Sequence, residues 1–407
     1  MKFTNLILFV LLLSAIGCSK KLSKQSDDEM LRTKAQTLAH QYIITDGHVD
    51  LPYRLAIKNF RFTKEFIGIP IETKDGDFDF KRAKAGGLDV PFMSIYIPSS
   101  YQVTGGAKAY ADSLIDMVEK IAAELPDYYK TVKSPAEAEA VVAAGKIALP
   151  MGMENGAPIE KDIKNVAYFK KRGISYITLT HGKDNQICDS SYDTTATWKG
   201  LSPFGMEVVA EMNTQGIMID VSHISDKTFW QVMELSRVPV IASHSSARNF
   251  TPGFQRNMSD EMIVEMGKKG GVIQVNFGST FLDGSLKPNW DKFDKLLSDK
   301  NLKESDPEAK KLMTEFEAKN GSLFSDVEKV ADHIDLIVKL AGIDHVGLGS
   351  DFDGVGDSLP TGLKDVSQYP NLIYVLLKRG YTDEQIEKIC YKNVWRVWNQ
   401  VLNHANG

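Results

Sequence analysis

The chain has 407 residues, of which 43% are hydrophobic and 25% are charged, a balance that is typical of globular proteins and excludes disorder over most of its length. Lysine and arginine number 48 against 53 aspartate and glutamate residues. The net charge of −5 therefore gives no sign of a nucleic-acid partner, since proteins that bind nucleic acids usually carry a basic excess. Three cysteines are too few for a disulfide framework.

The N-terminal segment resembles a bacterial lipoprotein signal. Lys2 supplies a positive charge, an apolar run follows from Leu6 to Leu13, and small residues lead into Cys18. The apolar run is too short to span a bilayer comfortably. We expect residues 1–17 to be removed and Cys18 to be acylated, which would anchor the protein by lipid to a membrane of the bacterial cell envelope. An uncleaved anchor or a plain secretory signal is the alternative.

The rest of the chain is predicted to be a flexible tether at residues 18–40 and one domain at residues 41–407. Within this domain, eight short apolar runs have the character of buried strands: Tyr42–Val49, Val90–Ile97, Ala148–Met153, Tyr176–Leu179, Met218–Val221, Val240–Ser243, Gly271–Val275 and Val346–Gly349. Amphipathic helical patterns lie between them, as at Ala107–Leu125, Pro203–Thr214 and Asp260–Lys268. Alternating strands and helices predict a single (β/α)8 barrel, with an open doubly wound sheet as the alternative.

One segment interrupts this alternation. Residues 281–320 are rich in lysine, aspartate and glutamate at spacings that favour exposed helices with ion pairs four residues apart. We interpret the segment as a charged helical insertion on the surface; a lid over the site and an oligomer contact are the alternatives.

Residues that can bind metals lie at the ends of several predicted strands, where the loops of a barrel converge on the active site. His48 and Asp50 are two positions apart, so a strand directs both side chains to one face. Glu154 follows the run Ala148–Met153, and a carboxylate that leaves a buried strand must be solvated, paired or bound to a metal. Each feature alone is also consistent with an ordinary strand end.

Three histidines strengthen the pattern. His223 and His244 each end an apolar run as Ser-His, and a helical interval separates them. This repetition on successive strands favours a pair of metal ligands over two structural histidines. His181 ends another run and is either a ligand or a hydrogen-bond donor to a substrate. If Glu154 bridges, the residues His48, Asp50, Glu154, His223 and His244 suffice for two metal ions that activate water for amide hydrolysis.

The candidate proton carrier is Asp351, which follows Val346–Gly349 in a glycine-flanked turn. Asp353 is farther from the strand end and is the weaker alternative. Cys188 lies in a polar segment without an evident base, which disfavours a cysteine nucleophile, and the chain has no Gly-x-Ser-x-Gly elbow. The residues therefore predict a metal-dependent hydrolase.

The motifs DGHVDLP, GMENG, YITLTHGKDN, ASHSSAR followed by QRNMSDEM, and HVGLGSDFDG occur in an order that resembles the membrane dipeptidase family of zinc peptidases. The resemblance runs from about Ile43 to Val401. It implies a (β/α)8 barrel with two zinc ions, in which a metal-bridging hydroxide attacks the peptide bond of free L-L and L-D dipeptides. Because relatives are often dimers, a homodimer is also implied.

The same resemblance assigns roles to individual residues. The resemblance implies that His48 and Asp50 bind one zinc ion and that His223 and His244 bind the other. It implies that Glu154 bridges the two ions. Asp351 matches the proton relay, and His181 matches the histidine that contacts the substrate and stabilises the tetrahedral intermediate. Arg256 matches the arginine that holds the C-terminal carboxylate of the substrate. From the residues alone, Arg256 is indistinguishable from Arg248 or from any solvated arginine.

Two departures from the family pattern bear on specificity. Asn155 stands where the family usually has the first glycine of Glu-Gly-Gly, and the charged segment at residues 281–320 is longer than is typical. Two other functions therefore stay open. One is a related metal amidohydrolase that acts on lactones or acylated amino acids, and the other is a non-catalytic lipoprotein that binds peptides.

Overall fold

The protein is a closed barrel of eight parallel strands, seen in a computed structural model that describes residues 27–57, 70–303 and 306–407. In chain order the barrel strands are β1 (Ile44–Val49), β2 (Leu88–Tyr96), β5 (Met151–Glu154), β6 (Ile174–Thr178), β7 (Met218–Asp220), β8 (Ile241–Ala242), β9 (Val272–Val275) and β10 (Val346–Leu348). Each strand pairs in parallel with the next, and β10 pairs with β1. The predicted (β/α)8 barrel is confirmed, and the open sheet is excluded.

The third predicted strand is two strands in the structure. β4 (Ile147–Leu149) pairs with the short β3 (Tyr129–Thr131) in a separate sheet, whereas β5 belongs to the barrel. Pro150 lies between β4 and β5 and has no N–H to donate to a ladder, so the strand is interrupted at this residue. Sequence patterning alone merged the two because the flanking residues are all apolar.

Helices surround the barrel. Their bounds are α1 (27–41), α2 (Leu51–Ile57), α3 (Phe80–Gly86), α4 (Tyr101–Thr104), α5 (Ala107–Glu124), α6 (Pro135–Ala143), α7 (Lys164–Lys171), α8 (Pro203–Gln215), α9 (Asp226–Leu235), α10 (Asp260–Lys268), α11 (Ser279–Leu282), α12 (Lys287–Asp299), α13 (Pro307–Asn320), α14 (Val327–Ala341), α15 (Tyr369–Lys378), α16 (Asp383–Glu387) and α17 (Asn393–Asn406). Serine side chains cap α8, α9 and α10, where Ser202, Ser225 and Ser259 accept hydrogen bonds from the first helical turn. These caps set where each helix begins after its βα loop.

The N-terminal part of the chain differs from the prediction of a tether. The signal segment and Cys18 lie outside the described residues, but residues 27–41 are helical. Ala35, Leu38 and Ala39 are buried at helical spacing, so this stretch packs one face on the domain. The tether predicted at residues 18–40 is therefore wrong from residue 27 onward. Within the described part of the chain, no helix is both long and apolar enough to cross a bilayer.

The charged segment forms α12 and α13, which pack their apolar faces against each other. Trp290, Phe293 and Phe316 belong to this small hydrophobic cluster, which is separate from the clusters in and around the barrel. The returning chain is tied to α11, where Ser325 N donates a hydrogen bond of 3.0 Å to Ser279 Oγ. The helices thus carry their charges outward, and their use as a lid or an oligomer contact stays a prediction.

Candidate metal and active site

The carboxyl ends of the barrel strands bring the predicted site residues together. All of them lie in the last two residues of a barrel strand or within three residues after one: His48, Asp50, Glu154, His181, His223, His244 and Asp351. Three overlapping groups of their side chains place ligand atoms within 4.8 Å of one another. Residues separated by up to three hundred positions thus converge because parallel strands end on the same rim.

Glu154 occupies the centre of this arrangement, and its two carboxylate oxygens face different histidines. Oε2 lies 3.4 Å from His48 Nε2. Oε1 lies 3.1 Å from His223 Nε2, 3.3 Å from His244 Nε2 and 3.6 Å from His181 Nε2. A carboxylate that presents one oxygen to each of two ligand groups has the arrangement of a bridging ligand.

The hydrogen bonds around His48 orient its ring for a ligand role. Tyr176 donates its hydroxyl hydrogen to Gly47 O at 3.0 Å, so its oxygen can only accept from His48 Nδ1–H at 2.9 Å. This leaves Nε2 directed at Glu154 and at Asp50, whose Oδ2 is 3.4 Å away. Among the described residues, the buried atoms His48 Nε2 and Asp50 Oδ1 have no hydrogen-bond partner. A bound cation would be a partner for both of these atoms, since each can offer a lone pair as a metal ligand.

His244 is oriented in the same way by a different partner. Ser243 Oγ donates to the carboxylate of Asp220 at 2.6 Å and therefore accepts from His244 Nδ1–H at 2.7 Å. The bare Nε2 of His244 lies 2.9 Å from His223 Nε2. Two imidazole nitrogens this close, both next to Glu154, fit ligands of one metal ion.

The charges of the site support neutral imidazoles on one side. Burial, together with Arg256, holds the pKa of His223 well below its usual range, and burial with His48 does the same for His244. Burial alone would raise the pKa of Glu154, but His48 and His181 hold it well below its usual value. The donor set is therefore a carboxylate with unprotonated imidazoles, which zinc and similar divalent ions prefer.

Asp351 is held beside the ligands in a left-handed backbone conformation, with φ of 65°. Its Oδ2 accepts a hydrogen bond of 2.8 Å from Asn276 Nδ2. Burial raises the pKa of Asp351 to about 7, and the nearby carboxylates of Asp50 and Glu154 act in the same direction. A carboxyl group whose pKa lies near 7 can both accept and return a proton at neutral pH, as a general acid–base needs to do.

The two candidate arginines have different surroundings. Arg248 forms a two-pronged ion pair with Asp226, at 2.7 and 2.6 Å, on the surface side of its loop. Arg256 is buried beside the metal ligands and donates to Ser245 Oγ and His223 Nε2 at 2.7 and 3.0 Å. Its buried Nε has no hydrogen-bond partner among the described residues. The tertiary structure therefore separates the two arginines, which the sequence left indistinguishable.

Cys188 and Cys390 are both buried and free, so they do not form a disulfide with each other. Burial raises the pKa of the Cys188 thiol well above its usual value, so a reactive thiolate is disfavoured. Asp353 is likewise engaged elsewhere, because it pairs with Arg54 at 2.7 Å. The two weaker candidates of the sequence are thus accounted for structurally.

A cavity of about 550 Å³ opens over the site. Asp50, Glu154, His181, His223 and Asp351 lie at its floor and walls, and its aromatic lining consists of Tyr53, Tyr96, Tyr192 and Phe281. His181 contributes directly to this surface, since a quarter of its side chain is exposed. The cavity thus gives a small ligand access to the candidate metal ligands.

Sequence reasoning missed the residues that support the ligands. Tyr176, Ser243 and Asp220 orient two histidines, and Asn276 holds Asp351. Only Ser243 had a signal in the sequence, since it directly precedes His244, whereas the others are distant from their partners along the chain. Gly354 is a second kind of support: a Cβ there would lie 2.2 Å from both Asp351 Oδ1 and Asp50 Oδ2, so only glycine lets these carboxylates approach.

A (β/α)8 barrel with histidines and carboxylates gathered at its carboxyl end belongs to the class of barrel-fold metal-dependent hydrolases. The sequence profile of the membrane dipeptidase family, peptidase family M19, matches residues 32–407. The chain is a member of this family and a metallodipeptidase.

Individual relatives agree with this assignment. The chain is 30% identical to an uncharacterised dipeptidase of Schizosaccharomyces pombe, over 92% of this chain and 84% of that protein. The crystal structure of the probable dipeptidase PvdM from Pseudomonas aeruginosa matches with a TM-score of 0.79 at 27% identity, over 93% of this chain and 100% of the other. A metallo peptidase from Rhodobacter sphaeroides, liganded with a phosphinate mimic of the dipeptide L-Ala-D-Ala, shares the fold with a TM-score of 0.72 at 23% identity, over 88% and 99% of the two chains.

Proposed function

We propose that the protein is a zinc dipeptidase that holds two zinc ions and hydrolyses free dipeptides, of L-L and also of L-D configuration. One observation carries this proposal: Glu154 directs one carboxylate oxygen to His48 and the other to His223 and His244. His48 and Asp50 would hold one ion, His223 and His244 the other, and Glu154 both. Zinc at these positions would polarise the peptide carbonyl and lower the pKa of water.

The chain's own residues supply the rest of the mechanism. The carboxyl group of Asp351, which lies in one cluster with His48 and Asp50, takes a proton from the attacking water and delivers it to the leaving amine. His181 lies on the cavity wall, 3.6 Å from Glu154, and donates a hydrogen bond to the carbonyl oxygen as negative charge develops there. Its position makes it a contact to the substrate rather than a sixth buried ligand.

Arg256 is the residue that measures the length of the substrate in this proposal. Its guanidinium is buried next to His223, and its unpaired Nε–H is a donor for a carboxylate. A carboxylate bound at Arg256 places the preceding peptide bond near Glu154, so a peptide with a free C-terminus one residue away is the fitting substrate.

The location of the protein belongs to the same proposal. Acylation of Cys18 would tether the catalytic domain to a membrane of the bacterial cell envelope, where short peptides from the surroundings are available. Intact-mass analysis of the membrane-extracted protein tests this, because acylation adds lipid mass at a new N-terminal Cys18. A homodimer is proposed from the family resemblance alone, and the molar mass from light scattering tests it.

The decisive experiment measures amino-acid release by a soluble form that starts at Ser19, after chelation and after zinc is added back. The panel contains L-L dipeptides, L-Ala-D-Ala, the matching N-acetylated dipeptides and tripeptides. We expect zinc-restored release from free dipeptides only. Release from blocked substrates or from lactones would favour the broader amidohydrolase, and binding of dipeptides without any release would favour the non-catalytic lipoprotein.

A further inference from the structure

Asn155 occupies a backbone position that few residues tolerate. It follows Glu154 directly, is fully buried, and has φ of 78°, in the left-handed region. Glycine adopts this conformation freely, and asparagine is among the few other residues that visit it. The position can therefore hold either residue, but only asparagine brings a polar side chain into the wall of the site.

The carboxamide of Asn155 uses its entire hydrogen-bonding capacity within the protein. Nδ2 donates to Ile97 O at 2.9 Å and to Gln102 Oε1 at 3.0 Å. Oδ1 accepts from Ala157 N at 3.2 Å and from Asn185 Nδ2 at 3.0 Å. Two donors and two acceptors are thereby satisfied, and the loops after β2, β5 and β6 are joined at one side chain.

The two side chains that Asn155 contacts extend the connection to the segment that carries His181. Asn185 Nδ2 also donates to Leu179 O at 2.8 Å, and Gln102 Nε2 donates to Asp184 O at 2.8 Å. Asn155, Gln102 and Asn185, called here the amide network, thus hold residues 179–185 near both ends. His181 lies in the middle of this segment.

Open space lies behind part of this segment. His181 faces the catalytic cavity, whereas Lys183, Asp184 and Asn185 line a second cavity of about 860 Å³ on the other side. Gln102 and Ala157 line the second cavity as well. Because this cavity leaves part of the segment without packing, hydrogen bonds support it there, among them those of the amide network and the bond that Ser190 Oγ donates to His181 O.

We propose that Asn155 is a positioning residue for His181: its carboxamide, through the amide network, holds the segment 179–185 at the distance at which His181 meets the reacting carbonyl. The proposal rests on the proposed function of His181. It also explains the departure at Asn155: the asparagine keeps the left-handed backbone and adds a brace that glycine cannot provide.

The test is Asn155→Gly, because glycine keeps the backbone conformation and removes only the carboxamide. We expect kcat to fall about 10-fold with a small change in KM, a fraction of the ~10²–10³-fold loss typical when a donor to a developing oxyanion is removed. In a His181→Ala background, Asn155→Gly should cause no further loss, since its whole effect passes through His181. An undiminished additional loss in that background would overturn the proposal.

Hydrogen exchange of the metal-free protein gives a second readout that does not depend on activity. Asn155→Gly should speed exchange of the amides in residues 179–185, and unchanged exchange there would overturn the proposal even if kcat fell.

Asn213→Ala is the matched control, because Asn213 is a buried asparagine bonded to Ser236 Oγ and Arg237 N at the opposite end of the barrel. It should lower thermal stability and leave kcat and the exchange of residues 179–185 unchanged. If the wild type releases no amino acids, the proposed function fails, while the exchange result still judges the amide network.

Discussion

The two sides of the metal site are built from opposite charges. The acidic side consists of His48, Asp50 and Asp351, and the basic side consists of His223, His244 and Arg256. Burial would lower the pKa of His48, but Tyr176 and the carboxylates of Glu154 and Asp50 raise it well above its usual value. The imidazoles of the basic side have lowered pKa values instead.

This difference indicates a division of labour. The acidic side has an excess of negative charge, so in the proposed function it would attract a cation strongly and carry a proton on Asp351. The basic side has neutral imidazoles and a guanidinium, so it would hold a cation only with the help of Glu154 and would offer positive charge to a carboxylate of the substrate. Glu154, which lies between them, is therefore the group on which both sides would depend.

The largest effect is expected when this shared group is changed. Glu154→Gln removes the negative charge that both sides share and replaces one of the two carboxylate oxygens with an amide NH2 group, which does not bind a metal ion. The loss of metal affinity should exceed the ~10–100-fold typical of residues that only support a ligand. Metal content per chain and dipeptide turnover measure this, with circular dichroism as the check on folding. Retention of a full metal complement would contradict a bridging role.

Asp351→Asn should abolish proton transfer on the acidic side and leave the basic side unchanged. The amide keeps the shape of the carboxyl group but cannot relay a proton, so kcat should fall by about 10²–10⁴-fold, the range of general acid–base contributions. KM and the metal content should stay near their wild-type values, because Arg256 and the five ligands are intact. A loss confined to KM would show that Asp351 binds the substrate rather than carrying a proton.

Tyr176→Phe and Ser243→Ala sharpen the comparison, since each removes the group that orients the histidine of one side. Either change should weaken metal binding by about 10–100-fold at its own side, because the supported ring nitrogen loses its fixed direction. Titration of the metal-free protein with zinc should then resolve a tighter and a weaker step. Equal weakening of both steps by each variant would show that the two sides do not bind independently.

The smallest effect is expected at Arg248, which forms an ion pair with Asp226 at the edge of the basic side. Arg248→Ala should lower the free energy of unfolding by about 1–3 kcal/mol, because the pair with Asp226 and the hydrogen bonds to Asn257 O and Gln255 O are lost, and should leave turnover unchanged. Arg256→Ala should instead raise KM for free dipeptides, because the buried donor to the C-terminal carboxylate is lost, and should change kcat less. Urea unfolding and steady-state kinetics separate these outcomes.

Much of this site was predictable because a short apolar run in the sequence marks each barrel strand. The apolar runs before His48, Glu154, His223, His244 and Asp351 predict strand ends, and strand ends of a parallel barrel share one rim. The same local reasoning failed where the signal was not local. Pro150 divides a run that looks continuous, and the helix at residues 27–41 follows a polar stretch that conceals its apolar face.

The sequence by itself predicted the barrel from its alternating strand and helix patterns, and the order of its motifs indicated the family. The metal ligands were predicted at strand ends and stay candidates, which the structure brings together on one rim. Only the tertiary structure decided how these side chains are oriented and how the surroundings of Arg256 differ from those of Arg248. Tyr176 reaches His48 across 128 positions of the chain, and Asn155 meets Asn185 across 30. Such pairings are set by the closure of the barrel and by the course of its loops, because a hydrogen bond depends on distance and angle in space and leaves no fixed spacing in the chain.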